Sequence, residues 1–187
     1  MSKRWLILAF VLVAVAQLAV PVVLILQRAA ILRTGRAYKF RTRPVDPADP
    51  FRGRYVQLAF DQNHAPWRSH AELQHGQELF ACVADGSDGF AVIQEVKAVR
   101  PDQRDYVKVQ VSWWQKNEVY FTLPFDRYYL QETKAPKAEQ TYQEHNRRSS
   151  ISSDTYVVVR IKAGDAVLAD LYVGGQPIQA YFTNRKP

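Results

Sequence analysis

Two hydropathy patterns divide this chain of 187 residues. Over residues 5–26 apolar side chains follow one another, interrupted only by Gln17 and Pro21. At about 1.5 Å per residue, a helix of that length reaches roughly the 30 Å of a bilayer's hydrocarbon core. Trp5 stands at one rim, where indole rings favour the interface. The rival reading is a cleaved signal peptide, with Lys3 and Arg4 in front and Ala14-Val15-Ala16 as the cleavage site. The apolar run continues well past Ala16, which favours an uncleaved anchor. Residues 27–34 are expected to extend the helix, and Gly35 suits its C-terminal stop.

Beyond Gly35 the period drops to two. Tyr38, Phe40 and Thr42 alternate with Lys39 and Arg41, which predicts a first strand over 37–42. Pro44, Pro47 and Pro50 then forbid regular structure. A strand is predicted over 54–60, with Val56, Leu58 and Phe60 on one face and Tyr55, Gln57 and Ala59 on the other. Residues 61–77 are polar and predict a long loop, or a short helix around 69–74. Strands over 78–84 and 90–99 make a hairpin about a turn at 85–89. Strands over 106–113 and 118–123 make a second, with Val107, Val109 and Val111 inward. Residues 123–130 predict a bend. Residues 137–148, preceded by Pro136, predict the soluble part's only helix. Strands over 154–162 and 166–173 close a last hairpin, followed by a short end near 177–182. The segments add up to roughly seven to nine strands in one mainly antiparallel β-domain, sandwich or barrel-like, behind a single N-terminal membrane helix.

Charge changes the picture only once it is located. The net charge is +7, yet ten of the 25 Lys and Arg and two of the 18 acids lie in residues 1–54, so the remaining chain carries −1. The basicity is juxtamembrane. It suits contact with lipid headgroups rather than a nucleic-acid footprint, so the lipid bilayer is an expected partner and nucleic acid is not. Topology is pulled both ways. Six basic residues follow the span over residues 28–43 and two precede it, which by the positive-inside count puts the domain in the cytoplasm. A short basic N-terminus followed at once by the span is a signal-anchor arrangement, which puts the domain outside. The expectation adopted is the second. The single cysteine, Cys82, lies in an apolar run and suits a small core residue.

The densest polar cluster is Asp46, Asp49 and Arg52, set among Asp-Pro pairs ahead of Gly53 and Arg54. Two carboxylates so close could do acid–base work in an envelope hydrolase. Asp-Pro spacing equally makes Asx turns, with the carboxylates bonded to their own backbone. No surrounding apolar run gives these carboxylates a reason for a tuned pKa, so the turn reading is preferred. On that reading Asp46, Asp49, Arg52 and Gly53 form a proline-braced turn that presents Arg54 to a partner. His64, His70 and His75 have neither the helical i, i+4 spacing nor a neighbouring Cys-x-x-Cys expected of a zinc site. No serine has a Gly-x-Ser-x-Gly setting, and no glycine makes a phosphate loop. No cofactor or metal is expected. In the adjacent pair Trp113-Trp114, strand geometry points the rings to opposite faces, so one of them is expected to be exposed.

Gly53, Tyr55 and Leu58, with Phe60 at the last position, resemble the signature of the bacterial GDYXXLXY family of membrane-anchored proteins. Pro44-Val45-Asp46-Pro47 and Asp49-Pro50-Phe51-Arg52 are similar to that family's lead-in, Arg127-Tyr128-Tyr129-Leu130-Gln131-Glu132 to its central aromatic segment, and Leu168 to Gly175 to its closing segment. Two positions depart: Arg54 stands for the family's aspartate and Phe60 for its last tyrosine. The resemblance implies a membrane anchor and a β-rich soluble part. Members are often associated with multi-spanning membrane proteins, so it implies such a protein as a partner. The expected organisation is an anchor helix over 1–34, a basic, proline-rich stalk with the first strand over 35–50, and a β-rich domain over 51–187. The expected role is a non-enzymatic envelope module in the bacterial inner (cytoplasmic) membrane, with Asp46, Asp49, Arg52, Gly53, Arg54, Tyr55, Leu58 and Phe60 as its motif and partner-binding residues.

Overall fold

The computed structural model describes residues 3–43, 55–69, 71–129, 138, 141–142 and 155–183. One helix, Lys3–Thr34, is long and apolar enough to cross a membrane. Apart from half-buried Ala14, its apolar side chains from Trp5 to Leu26 are exposed. It ends as the sequence predicts. The Gly35 amide donates to the Ile31 carbonyl at 2.8 Å, and strand β1 (Arg36–Arg43) starts at the next residue. Helix and domain are therefore joined without a linker. Ile31 is buried, the Arg28 guanidinium reaches the Ala166 carbonyl at 3.4 Å, and the Lys162 ammonium donates to the Thr34 hydroxyl at 2.7 Å.

The described residues form twelve strands. After β1 come β2 (Tyr55–Gln57), β3 (Ala59–Phe60), β4 (His64–Pro66), β5 (Glu78–Asp85), β6 (Ala91–Lys97), β7 (Tyr106–Gln115), β8 (Glu118–Thr122), β9 (Arg127–Tyr129), β10 (Thr155–Lys162), β11 (Asp165–Val173) and β12 (Gln176–Pro177). One sheet has the order β12-β11-β10-β1-β3, a second β4-β8-β7-β5-β6, and β2 pairs with β9 alone. The strand pairs are antiparallel. A parallel bridge between Val107 and Gly164 joins the two large sheets, giving a nearly closed, barrel-like arrangement.

Alternation explains the core. Tyr38, Phe40 and Thr42 of β1 face inward, as do Val107, Val109 and Val111 of β7 and Val157, Val159 and Ile161 of β10. Buried Thr42 satisfies its hydroxyl on the Thr155 carbonyl at 3.1 Å. Cys82 is buried and free, and burial pushes its thiol pKa up.

Several local expectations are corrected. Twelve strands exceed the predicted number because the strand over 54–60 is divided into β2 and β3, and because β4, β9 and β12 have three, three and two residues, too few to show a period. Residues 69 and 71–74 are irregular rather than helical. The predicted loop over 61–77 contains β4, which tolerates Pro66 because it lies at the end of its sheet, where the missing amide costs no ladder bond. The predicted bend over 123–130 contains β9. Residues 138, 141 and 142 are helical, as expected for that segment, but a second short helix, Ala180–Thr183, follows β12. Both Trp113 and Trp114 are exposed, at 47% and 45%, since the end of the β7–β8 hairpin runs beyond the core that would cover the inward ring.

Candidate functional site

The predicted strand over 54–60 keeps its side-chain alternation but changes sheets midway. Val56, Leu58 and Phe60 are all buried. Before Leu58 the backbone pairs with β9, in the register Tyr55 to Tyr129, Val56 to Tyr128 and Gln57 to Arg127. At the switch the Leu58 amide donates to the Asp126 carbonyl at 2.8 Å. After it, Phe60 and Ala59 pair with Thr42 and Arg43 of β1. The segment is a corner stitched to two sheets.

The inner side of the corner is aromatic. Phe60 packs with Phe40 and Phe125, at centroid separations of 6.2 and 5.2 Å, and Phe40 lies 5.1 Å from Phe125. Phenylalanine at position 60 leaves no hydroxyl to satisfy in this buried cluster, which makes the departure from the signature's tyrosine compatible with the core.

The outer side carries Tyr55 and Tyr129, with ring centroids 5.6 Å apart. The Arg127 guanidinium lies 5.3 Å above the Tyr55 ring, and Arg127 Nε is 3.8 Å from Asp126 Oδ1. Tyr129 is 67% exposed. Its neighbour Tyr128 points inward, where its hydroxyl donates to Asp170 Oδ1 at 3.2 Å and accepts from Gln179 Nε2 at 3.4 Å. Asp170 Oδ1 also accepts from the Leu171 amide at 2.9 Å. Burial pushes the Tyr128 pKa up, and the Asp170 carboxylate adds to the rise against the opposing Gln179 bond.

Three segments far apart in sequence thus converge: Tyr55, Leu58 and Phe60; Arg127 to Tyr129; and Asp170 with Leu171. Leu58 and Phe60 serve the core, while Tyr55 remains partly exposed. Asp46, Asp49, Arg52, Gly53 and Arg54 lie outside the described residues, just ahead of Tyr55. Asp170 does not stand out in the sequence, because a side chain in an alternating strand gives no sign of a partner 42 residues away.

The other candidates stand elsewhere. The His64 ring stacks on Tyr120 at 5.2 Å, His75 is exposed, and His70 lies outside the described residues. Among the described residues no three or more His, Cys, Asp or Glu are grouped to hold a metal ion. The corner offers aromatic surface, one guanidinium and bonded carboxylates, which is the chemistry of recognition.

Neither a curated protein nor a solved structure matches the chain. A family model described as GDYXXLXY protein matches residues 17–171. That match runs from the second half of the apolar helix to β11 and takes in all three segments of the corner, so the chain belongs to the GDYXXLXY family.

Proposed function

We propose that this protein is a membrane-anchored, non-enzymatic envelope module that holds a protein partner at the Tyr55–Tyr129 corner. The observation that carries the reading is the partly exposed Tyr55–Tyr129 pair, crossed by Arg127, where the signature and central segments meet, while the closing segment holds the inward Tyr128 behind it through Asp170. Tyrosine and arginine are the residues that most often anchor protein interfaces, because they bring large contact area and directional donors together. The lead-in residues Asp46, Asp49, Arg52, Gly53 and Arg54 precede Tyr55 in sequence and belong to the proposed contact. The partner is a multi-spanning membrane protein. The linker-free join ties the barrel directly to the span, and Gln17 places an amide inside the apolar run, where helix–helix contacts use such groups. The membrane is the bacterial inner membrane, crossed once, with the barrel on the extracytoplasmic side in the signal-anchor orientation.

The test is cross-linking of the tagged full chain in native membranes, followed by mass spectrometry. Tyr129→Ala and Arg127→Glu should leave the thermal melt unchanged and lose a multi-spanning protein that the parent captures. Capture that survives both changes would remove the corner as the contact. A C-terminal phosphatase fusion reports the side of the membrane; an inactive fusion would overturn the extracytoplasmic assignment.

A further inference from the structure

A groove of about 540 Å³ separates the membrane helix from the barrel. Leu24, Gln27 and Arg28 line one wall, and Lys108, Gln110 and Thr122 line the other. Its depth relative to the bilayer follows from the helix. Residues 5–26 span about 33 Å, enough to fill the hydrocarbon, so Arg28 stands at headgroup level. The Arg28 bond to the Ala166 carbonyl puts the start of β11 at the same depth, and the Val107–Gly164 bridge brings the start of β7 there. Leu24 lies about 6 Å closer to the bilayer centre than Arg28 and lines the same groove. The groove therefore opens towards lipid.

The barrel wall of the groove continues into an exposed aromatic stack. In the β7–β8 register Gln110 faces Thr122, and beyond a bulge Trp113 faces Tyr120. Val109, Val111, Val119 and Phe121 point into the core, which leaves Lys108, Gln110, Thr122, Tyr120 and Trp113 on the outer face. The Trp113 ring lies 3.7 Å from that of Tyr120 with 7° between their planes, and His64 stacks on Tyr120 as well. Ser112 and Thr122 share a hydrogen bond at 2.9 Å across the bulge. An indole held rigid on a surface, apolar in body and with one N–H donor, has the chemistry of the bilayer interface. In the groove, Arg28 and Lys108 stand among Glu78, Asp126 and Asp165, with Lys108 3.1 Å from Asp165, so the lining offers both signs of charge to the phosphate and the ammonium of a zwitterionic headgroup.

We propose that the outer face of β7 and β8, from Lys108 and Thr122 to Trp113, is a second membrane contact that seats the barrel on the phospholipid headgroups of the bilayer its helix crosses. The helix and the strand face then grip one leaflet from two sides of the groove. The proposal does not depend on the partner assigned to the Tyr55–Tyr129 corner.

The test uses the full chain carrying Trp5→Phe and Trp114→Phe, reconstituted in phosphatidylcholine vesicles. Trp113 and the buried Trp67 are then its indoles. Lipid brominated on the acyl chain near the headgroup should quench most of the Trp113 emission, and Trp113→Phe in the same background should abolish that quenching. Emission untouched by the brominated lipid but quenched by iodide would place the face in water and overturn the proposal. So would quenching that persists after Trp113→Phe, because it would then come from Trp67.

Discussion

The Tyr128 hydroxyl donates to Asp170 Oδ1 at 3.2 Å, tying β9 to β11 across 42 residues of sequence. This bond connects the central and closing family-like segments, and the pairing of β9 with β2 connects both to the Tyr55 signature. Tyr128→Phe keeps the buried ring and removes the bond. We expect a loss of about 1.5–3 kcal/mol, the usual range for a hydrogen bond to a charged group, measured by chemical denaturation in detergent. Tyr129→Phe, one residue on and exposed, should change stability by less than about 0.5 kcal/mol. Equal effects would mean that Asp170 does not discriminate the two tyrosines.

A Cβ on Gly35 would lie 2.6 Å from the Ile31 carbonyl oxygen and 3.1 and 3.2 Å from the Ile161 backbone oxygen and nitrogen. All three neighbours are backbone, so none can swing aside. The Gly35 carbonyl also accepts from the Arg160 guanidinium at 3.0 Å. Gly35→Ala should therefore cost about 2 kcal/mol and broaden the distance distribution between spin labels on the helix and on β11. A distribution as narrow as the parent's would show that the join tolerates a methyl group.

Much of the fold is legible in the sequence because its long strands bury every second residue. β1, β7 and β10 show this at Phe40, Val109 and Val159, and Gly35 marks the helix stop by residue type alone. The illegible parts depend on partners distant in sequence. Residues 55–60 keep one inward face throughout, so their alternation does not reveal that Leu58 is where the chain changes sheets. β9 has three residues and exists because β2 pairs with it. Of the candidate site, Tyr55, Leu58 and Phe60 can be picked out as a signature, but whether each serves core or surface depends on packing. Trp114 is exposed because the hairpin outruns the core, a length relation that adjacent residues do not encode.

Tyr38 gives a prediction in pH. Its hydroxyl donates to Asp105 Oδ2 at 2.7 Å, and Arg36 bridges Asp105 and Asp85 alongside. Burial pushes the Tyr38 pKa up strongly, and the Asp105 bond and charge add to it. The folded value is thus above the unfolded value of about 10. The stability linked to this group is fully present below about pH 10 and is lost as the pH rises towards the folded value, because the unfolded chain releases the proton first. Tyr38→Phe should cost about 1 kcal/mol at neutral pH and unfold less steeply than the parent above pH ~10. Parallel curves for the two proteins in alkali would rule out Tyr38 as a source of the alkaline loss.

Gly164 tests the bridge between the two large sheets. It sits in the β10–β11 turn at φ 89°, in the left-handed region that a side chain disfavours, and a Cβ there would run into the Tyr106 ring. Its carbonyl accepts from the Lys108 amide at 3.0 Å, and the Tyr106 hydroxyl donates to the neighbouring Ala163 carbonyl at 3.1 Å. The edge of the tyrosine ring thus lies against a turn that only glycine leaves open to it. Gly164→Ala adds backbone strain and displaces the ring, each worth about 1–3 kcal/mol. We expect a total loss of about 3 kcal/mol, and faster hydrogen exchange at the Lys108 amide as the seam opens. Gly164→Ala combined with Tyr106→Ala separates the two costs. If the ring clash dominates, the second change should recover part of the lost stability. If the double variant is no more stable than Gly164→Ala alone, the backbone conformation is what demands glycine, and the packing of Tyr106 on the turn is a consequence of the seam rather than its cause.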